Sequence, residues 1–203
     1  IVPDDWWSLT INAYLITVFS VSLVAALGGV VFYRTSVRLF PSAPSWTHAA
    51  STVTFGLGTL MLPFATMLYD HDLVAALSLF SFWFLLTEKE AGLSLVRPSL
   101  VFLIAGLLAG LTVLMSYPAV ISVIVLILYA ALVARSLRGL LFFLAGVALP
   151  VAFLAWYQWF CFGSVLTIAN TYQNELFRDQ EMLLFGMFGL PRFDIMMKLL
   201  FSS

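Results

Sequence analysis

Four consecutive polar residues, Tyr69, Asp70, His71 and Asp72, join two apolar runs in a chain with little other charge. A carboxylate on each side of an imidazole can move protons, grip a phosphate or hold a divalent ion. Such a group is costly inside a bilayer, so it belongs at a membrane surface or in a wet cavity. Asp70 and His71 are the candidate catalytic residues: Asp70, like Asp72 and Glu175, could serve as a general base, and His71 could shuttle a proton or bind a phosphate. Tyr69 and Asp72 flank them, and Tyr117, Tyr172, Glu175 and Arg178 sit in two further polar stretches, 116–118 and 170–181. These six are the candidate substrate-binding residues, and all three stretches together would line one aqueous cleft. A divalent cation could be held there by Asp70, Asp72 and Glu175, although no second histidine lies near and the spacing is not that of ligands on one helix. No other cofactor is identified: there is no Walker loop, zincin motif, nucleophile elbow or dinucleotide fingerprint.

The elements that must position these groups are apolar. Of 203 residues, 63% are hydrophobic and 9% charged, with a mean hydropathy of +1.06. A water-soluble domain is nearer half apolar and a quarter charged, so the composition is that of a polytopic membrane protein with membrane lipid as its solvent. A net charge of −1 without a basic patch excludes nucleic acid as a partner. Cys161 is the lone cysteine, which excludes an intrachain disulfide, and it reads as a small buried hydrophobe.

About twenty helical residues cross a hydrocarbon core of ~30 Å. By that measure the chain reads as an all-α transmembrane bundle of about six spans, in one domain over 1–203. The first follows Asp4, Asp5, Trp6 and Trp7, occupies about 10–33 and ends at Arg34 and Arg38. Pro41 to Ser45 makes a turn in which Ser45 or Thr47 would cap the second span, about 46–68, and Pro63 should kink or break it. Spans three and four fall at about 73–87 and 98–116, Ser116-Tyr117-Pro118 makes a tight reversal into span five, which ends at Arg135 and Arg138, and span six runs over about 139–160. The Gly106-x-x-x-Gly110 spacing permits close helix approach, read as packing within the bundle. Residues 182–201 read as an interfacial segment leading into a truncated helix. Both ends look cut, which makes the chain a fragment of a longer protein.

Alternating six spans collects Arg34, Arg38, Lys89, Arg97, Arg135 and Arg138 on one side, six of the nine basic residues. The positive-inside rule makes that side cytoplasmic and the Asp70-His71 turn extracytoplasmic, with His48 near the cytoplasmic interface.

Three segments in order carry a resemblance. Gly58, Thr59, Pro63, Phe64, His71, Ala75 and Ala76 form the first, and Gly106, Gly110, Tyr117, Pro118 and Ala119 the second. Tyr157, Phe162, Gly163 and Ser164 form the third, and the closing Leu200-Phe201-Ser202-Ser203 fits the start of a following turn. From about residue 50 onward the chain resembles bacterial integral-membrane glycosyltransferases of the GT-C superfamily, in the protein-mannosyltransferase-like group. Phe64 stands where that family has Tyr, and Gln158 where it has Asn after the Tyr. The resemblance implies transfer of a sugar from a polyprenyl-phosphate donor to a lipid, glycan or protein, at the outer face of a bacterial inner membrane. It also implies that the family's catalytic acid, in a loop after the first span, lies outside this fragment. The alternative is a non-catalytic transmembrane subunit that kept the scaffold and packs within a larger membrane complex.

Overall fold

A computed structural model of the chain describes residues 6–90, 98–134 and 136–165, with the backbone alone of 182–183 and 188–189. It divides into two compact units, Ile1–Ala152 and Phe153–Ser203. The regular elements among the described residues are helices, apart from a short antiparallel ladder of β1 (Met182–Leu183) with β2 (Phe188–Gly189).

The first apolar run is one helix of 34 residues, Trp6–Leu39, built as α1 (Trp6–Ile16), a π-helical segment (Thr17–Ser22) and α2 (Leu23–Leu39). Within it Thr10, Thr17, Ser20 and Thr35 each donate a hydroxyl to the carbonyl four residues back, which leaves no hydroxyl of theirs bare toward an apolar medium. The next helices are α3 (Ser45–Leu57) and α4 (Met61–Ala65). Pro44, in extended conformation, is the N-cap of α3 and makes no side-chain cap bond, so neither Ser45 nor Thr47 takes that role.

The predicted second span is broken at residues 58–60, a turn upstream of Pro63. Proline has no N–H to donate to the carbonyl of Thr59, and its ring would collide with that carbonyl in a continuous helix. The chain therefore stops at Gly58, whose N–H still bonds the Thr54 carbonyl at 2.8 Å, and restarts with Pro63 in the first turn of α4.

Four longer elements follow: α5 (His71–Glu90), α6 (Pro98–Met115), α7 (Val120–Val133) and α8 (Leu137–Phe162). A one-turn 3₁₀ segment, Tyr117–Ala119, makes the predicted tight reversal between α6 and α7. Gly163 ends α8 with φ of 68°, a conformation other residues adopt with difficulty, and its N–H bonds the Trp159 carbonyl.

Among the described residues three helices are long and apolar enough to cross a membrane: Trp6–Leu39, His71–Glu88 and Leu137–Phe162. That is fewer than six. The break at 58–60 divides one expected span, while the reversal at 116–119 and the stop at Ala134 leave α6 and α7 as shorter apolar helices, Ser99–Met115 and Tyr117–Val133.

Helix α5 is the hub of the first unit, packed on α2, α6 and α7. It runs parallel to α2, since Gly28 meets Ala76 and, farther along both, Arg38 lies over Trp83. Short connections make α5, α6 and α7 successive antiparallel neighbours. Ser81 donates to the Ala105 carbonyl at 2.8 Å, and Phe82 meets Tyr129 with ring centroids 5.1 Å apart. The core is Leu85, Phe102, Ala105, Ala109, Val123, Leu126, Ala130 and Phe143, from α5 to α8.

Gly106 and Gly110 face α8, as the spacing predicted for packing within the bundle. A Cβ on Gly106 would run into the Phe143 carbonyl, and one on Gly110 would lie 2.6 Å from that of Val147. Replacing Ser81 with Ala should cost about 1 kcal/mol, because it strands no donor but removes an interhelical bond in an apolar setting. Urea or thermal unfolding of the variant in detergent measures that loss.

Candidate functional site

The interval between α4 and α5 is only five residues long, and its backbone is tied down at each step. Met67 donates to the Phe64 carbonyl, Tyr69 to that of Met67 at 2.9 Å, and Val74 to that of Asp70 at 2.9 Å. Thr66 closes the turn by donating its hydroxyl to the Pro63 carbonyl. This fixes Phe64, Tyr69 and His71 as a cluster of rings. Phe64 meets His71 edge-on with centroids 4.8 Å apart, and Tyr69 lies 6.0 Å from His71 and 5.8 Å from Phe64.

Asp70 Oδ1 is 3.1 Å from His71 Nδ1, and the two side chains are 33% and 57% exposed. A carboxylate at Nδ1 favours the proton on that nitrogen, which leaves Nε2 as the acceptor of the neutral ring. At that distance Asp70 can orient the His71 ring. Both residues stand at the start of a 20-residue helix, where the free N–H groups and the dipole favour an anion.

Asp72, unlike the pair, is buried. It is 2% exposed, in the first turn of α5, and its Oδ2 has no hydrogen-bond partner. It is therefore no solvated cap, and it does not share the open face of Asp70 and His71.

Tyr117 lies at the same end of the bundle. Phe82 and Tyr129 are in contact on the parallel helices α5 and α7, so counting back ten residues along each brings Asp72 level with Ala119. Tyr172, Glu175 and Arg178 lie outside the described residues. Among the described residues no three His, Cys, Asp or Glu side chains gather where a metal ion could be held. The divalent-cation expectation therefore depends on Glu175, which the structure does not describe.

At the opposite end of the same unit stand Arg34, Arg38 and Arg138, at the end of α2 and the start of α8. Two single residues differ from expectation. His48 is 4% exposed, with Nδ1 2.7 Å from the Ser36 hydroxyl and its ring edge-on to Tyr33, so it is a buried link between α2 and α3 rather than an interfacial group. Cys161, expected to be buried, is exposed.

No family model, curated protein or solved structure matches the chain.

Proposed function

We propose that the chain is a membrane-embedded glycosyltransferase, or part of one, that takes a sugar from a polyprenyl-phosphate donor. The observation that carries this reading is the Asp70–His71 pair, 3.1 Å apart and open to solvent at a helix N-terminus, at the end of the bundle away from the arginines. In the reaction, an acceptor hydroxyl attacks the anomeric carbon of the sugar. Its oxygen forms the new bond, its proton goes to His71 Nε2, and the bond from the anomeric carbon to the phosphate oxygen breaks. The electron pair leaves with the polyprenyl phosphate, whose negative charge faces the N-terminus of α5. Tyr69 and Phe64 form an aromatic edge beside the imidazole, and Tyr117 would stand on the acceptor side. In this reading the three long helices, the α3–α4 pair, α6 and α7 make six crossings of a bacterial inner membrane. The Asp70-His71 turn is extracytoplasmic.

The test is transfer from a radiolabelled polyprenyl-phosphate sugar by the full-length protein in membranes. His71→Ala should lower the rate by about 10²–10⁴-fold, the range for loss of a positioned acid–base group, and Asp70→Asn by less. Unchanged rates in both would remove the pair from the reaction. The side of the membrane is read separately. With Cys161→Ser as background, a cysteine at Tyr69 should react in intact cells with a reagent that cannot cross the membrane.

A second reading, a non-catalytic subunit of a membrane complex, draws on α1, which has no buried residue. In that case His71→Ala leaves the function of the complex intact, and substitutions along α1 disrupt its assembly.

A further inference from the structure

Helix α2 carries an elongated slot that none of the preceding chemistry uses. On one side of it, against α3 and α4, lies an open apolar groove of about 590 Å³, whose lining includes Ala26, Gly29, Val30, Val53 and Gly56. Tyr33 closes the upper end of this groove and also lines a second cleft, of about 500 Å³, with Arg34, Val37, Arg38, Pro41 and Trp83. Positions 22, 26, 29, 33 and 37 recur at helical spacing, so the two spaces follow one stripe of α2 and meet at Tyr33.

The slot is amphipathic along its length. The groove is walled mostly by aliphatic and small residues with Phe55 among them, and two of its hydroxyls are engaged: Ser22 donates to the Ala65 carbonyl at 2.6 Å and Thr52 to that of His48 at 2.8 Å. The cleft holds two guanidinium groups one helical turn apart. Arg38 lies 5.6 Å over the Trp83 ring, and among the described residues Arg34 pairs with no carboxylate. Tyr33 and Trp83, aromatic groups with a polar edge, sit where the apolar run of α2 gives way to arginine, which is the level of a membrane–water boundary. From Ser22 to Tyr33 the groove extends about 16 Å along the helix, close to half of a ~30 Å hydrocarbon core.

We propose that this slot binds an anionic phospholipid, with its phosphate at Arg34 and Arg38 and one acyl chain in the groove between α2 and α3. Guanidinium matches phosphate in charge and in forked geometry. The groove's depth fits the hydrocarbon of one leaflet, and a free phosphate would have no use for it. Two glycines keep the groove open: a Cβ added at Gly29 or at Gly56 meets nothing within 4 Å. Neither glycine is demanded by helix packing, unlike those of α6 and α8, so a larger side chain at either would occupy the acyl channel without pushing the helices apart.

The experiment is a lipid titration of the full chain in detergent, read by native mass spectrometry, with phosphatidylglycerol and phosphatidylcholine as the two probes. Wild type should retain phosphatidylglycerol at least tenfold better. Arg34→Gln, at an exposed position, should bring the two lipids to within about threefold of each other. Gly29→Leu and Gly56→Leu should each weaken phosphatidylglycerol at least fivefold, with circular dichroism and melting midpoint unchanged. Equal retention of the two lipids by wild type, or no response to Arg34→Gln, overturns the proposal. So does a site that inorganic phosphate fills equally well and that ignores folded glycine variants, since that is an ion site without a chain. If the leucine variants do not fold, Arg34→Gln and the wild-type comparison decide the matter alone.

Discussion

Gly146→Val should leave little of the bundle standing at the temperature where wild type is fully folded. A Cβ at Gly146 would lie 2.7 Å from the Leu107 amide nitrogen and 2.9 Å from the Gly106 carbonyl carbon, with the Leu103 carbonyl oxygen closer still. All three are backbone atoms of α6, which cannot swing aside as a side chain can. The helices must separate, and the contacts of Phe102, Ala105, Ala109 and Phe143 loosen together. Overpacking of this kind costs about 3 kcal/mol or more, since dispersion between close backbones is the main force holding helices together in lipid. The melting midpoint in detergent should fall by roughly 10 °C. Gly28→Ala is the control: its Cβ would meet the Ala76 Cβ at 3.3 Å, a contact that a few tenths of an ångström relieve, and the midpoint should move by no more than about 2 °C. Equal shifts in the two variants would mean that the α6–α8 seam is not the tight one.

The second large effect is a gain. Asp72→Asn should stabilise the protein by about 1–2 kcal/mol, because a carboxylate that is 2% exposed has an oxygen with no partner, and the amide removes the charge at nearly constant shape. Chemical unfolding at neutral pH checks the sign. A loss of stability would show that Oδ2 has a partner in the folded protein. Measured beside it, the sugar transfer proposed above would tell whether the buried carboxylate is a structural burden or a working group. An amide that stabilises while abolishing transfer places Asp72 in the chemistry, as strained or uncompensated groups often are.

Helix placement was legible wherever a long apolar run was bounded by charge or proline. Arg34 and Arg38 close the first helix, and Ser116-Tyr117-Pro118 makes the turn where expected. The glycines of α6 were read correctly as packing residues because small side chains four apart have one common physical use. Lengths were harder. Proline acts on the carbonyl four residues earlier, so the break caused by Pro63 appears at 58–60 and shortens a span that hydropathy alone shows as continuous.

At the candidate site, Asp70 and His71 stand out in the sequence by their types and their isolation. The inward turn of Asp72 depends on which face of α5 meets its neighbours, and α5 is too uniformly apolar for its sequence to mark a face. His48 was missed for a related reason: its partner Ser36 is twelve residues away, and only the α2–α3 hairpin brings the two together. Nor does any composition signal mark the slot beside α2, because it is made by the absence of side chains at Gly29 and Gly56.

The π-helical segment at Thr17–Ser22 has a mechanical consequence. A wider turn accommodates one additional residue per bulge, so the azimuth of everything before it is offset by about 100° from that of an uninterrupted α-helix. Trp6, Trp7 and Tyr14 therefore point in directions that counting back from α2 would misassign. Ser22, whose hydroxyl reaches the Ala65 carbonyl, anchors the lower edge of the bulge to the short helix that carries Phe64. Shortening 17–22 by a single residue would rewind the bulge and twist the amino-terminal half of the rod like a dial. Its aromatic residues would then face a different quarter of the bilayer, while the grip on α4 stayed in place.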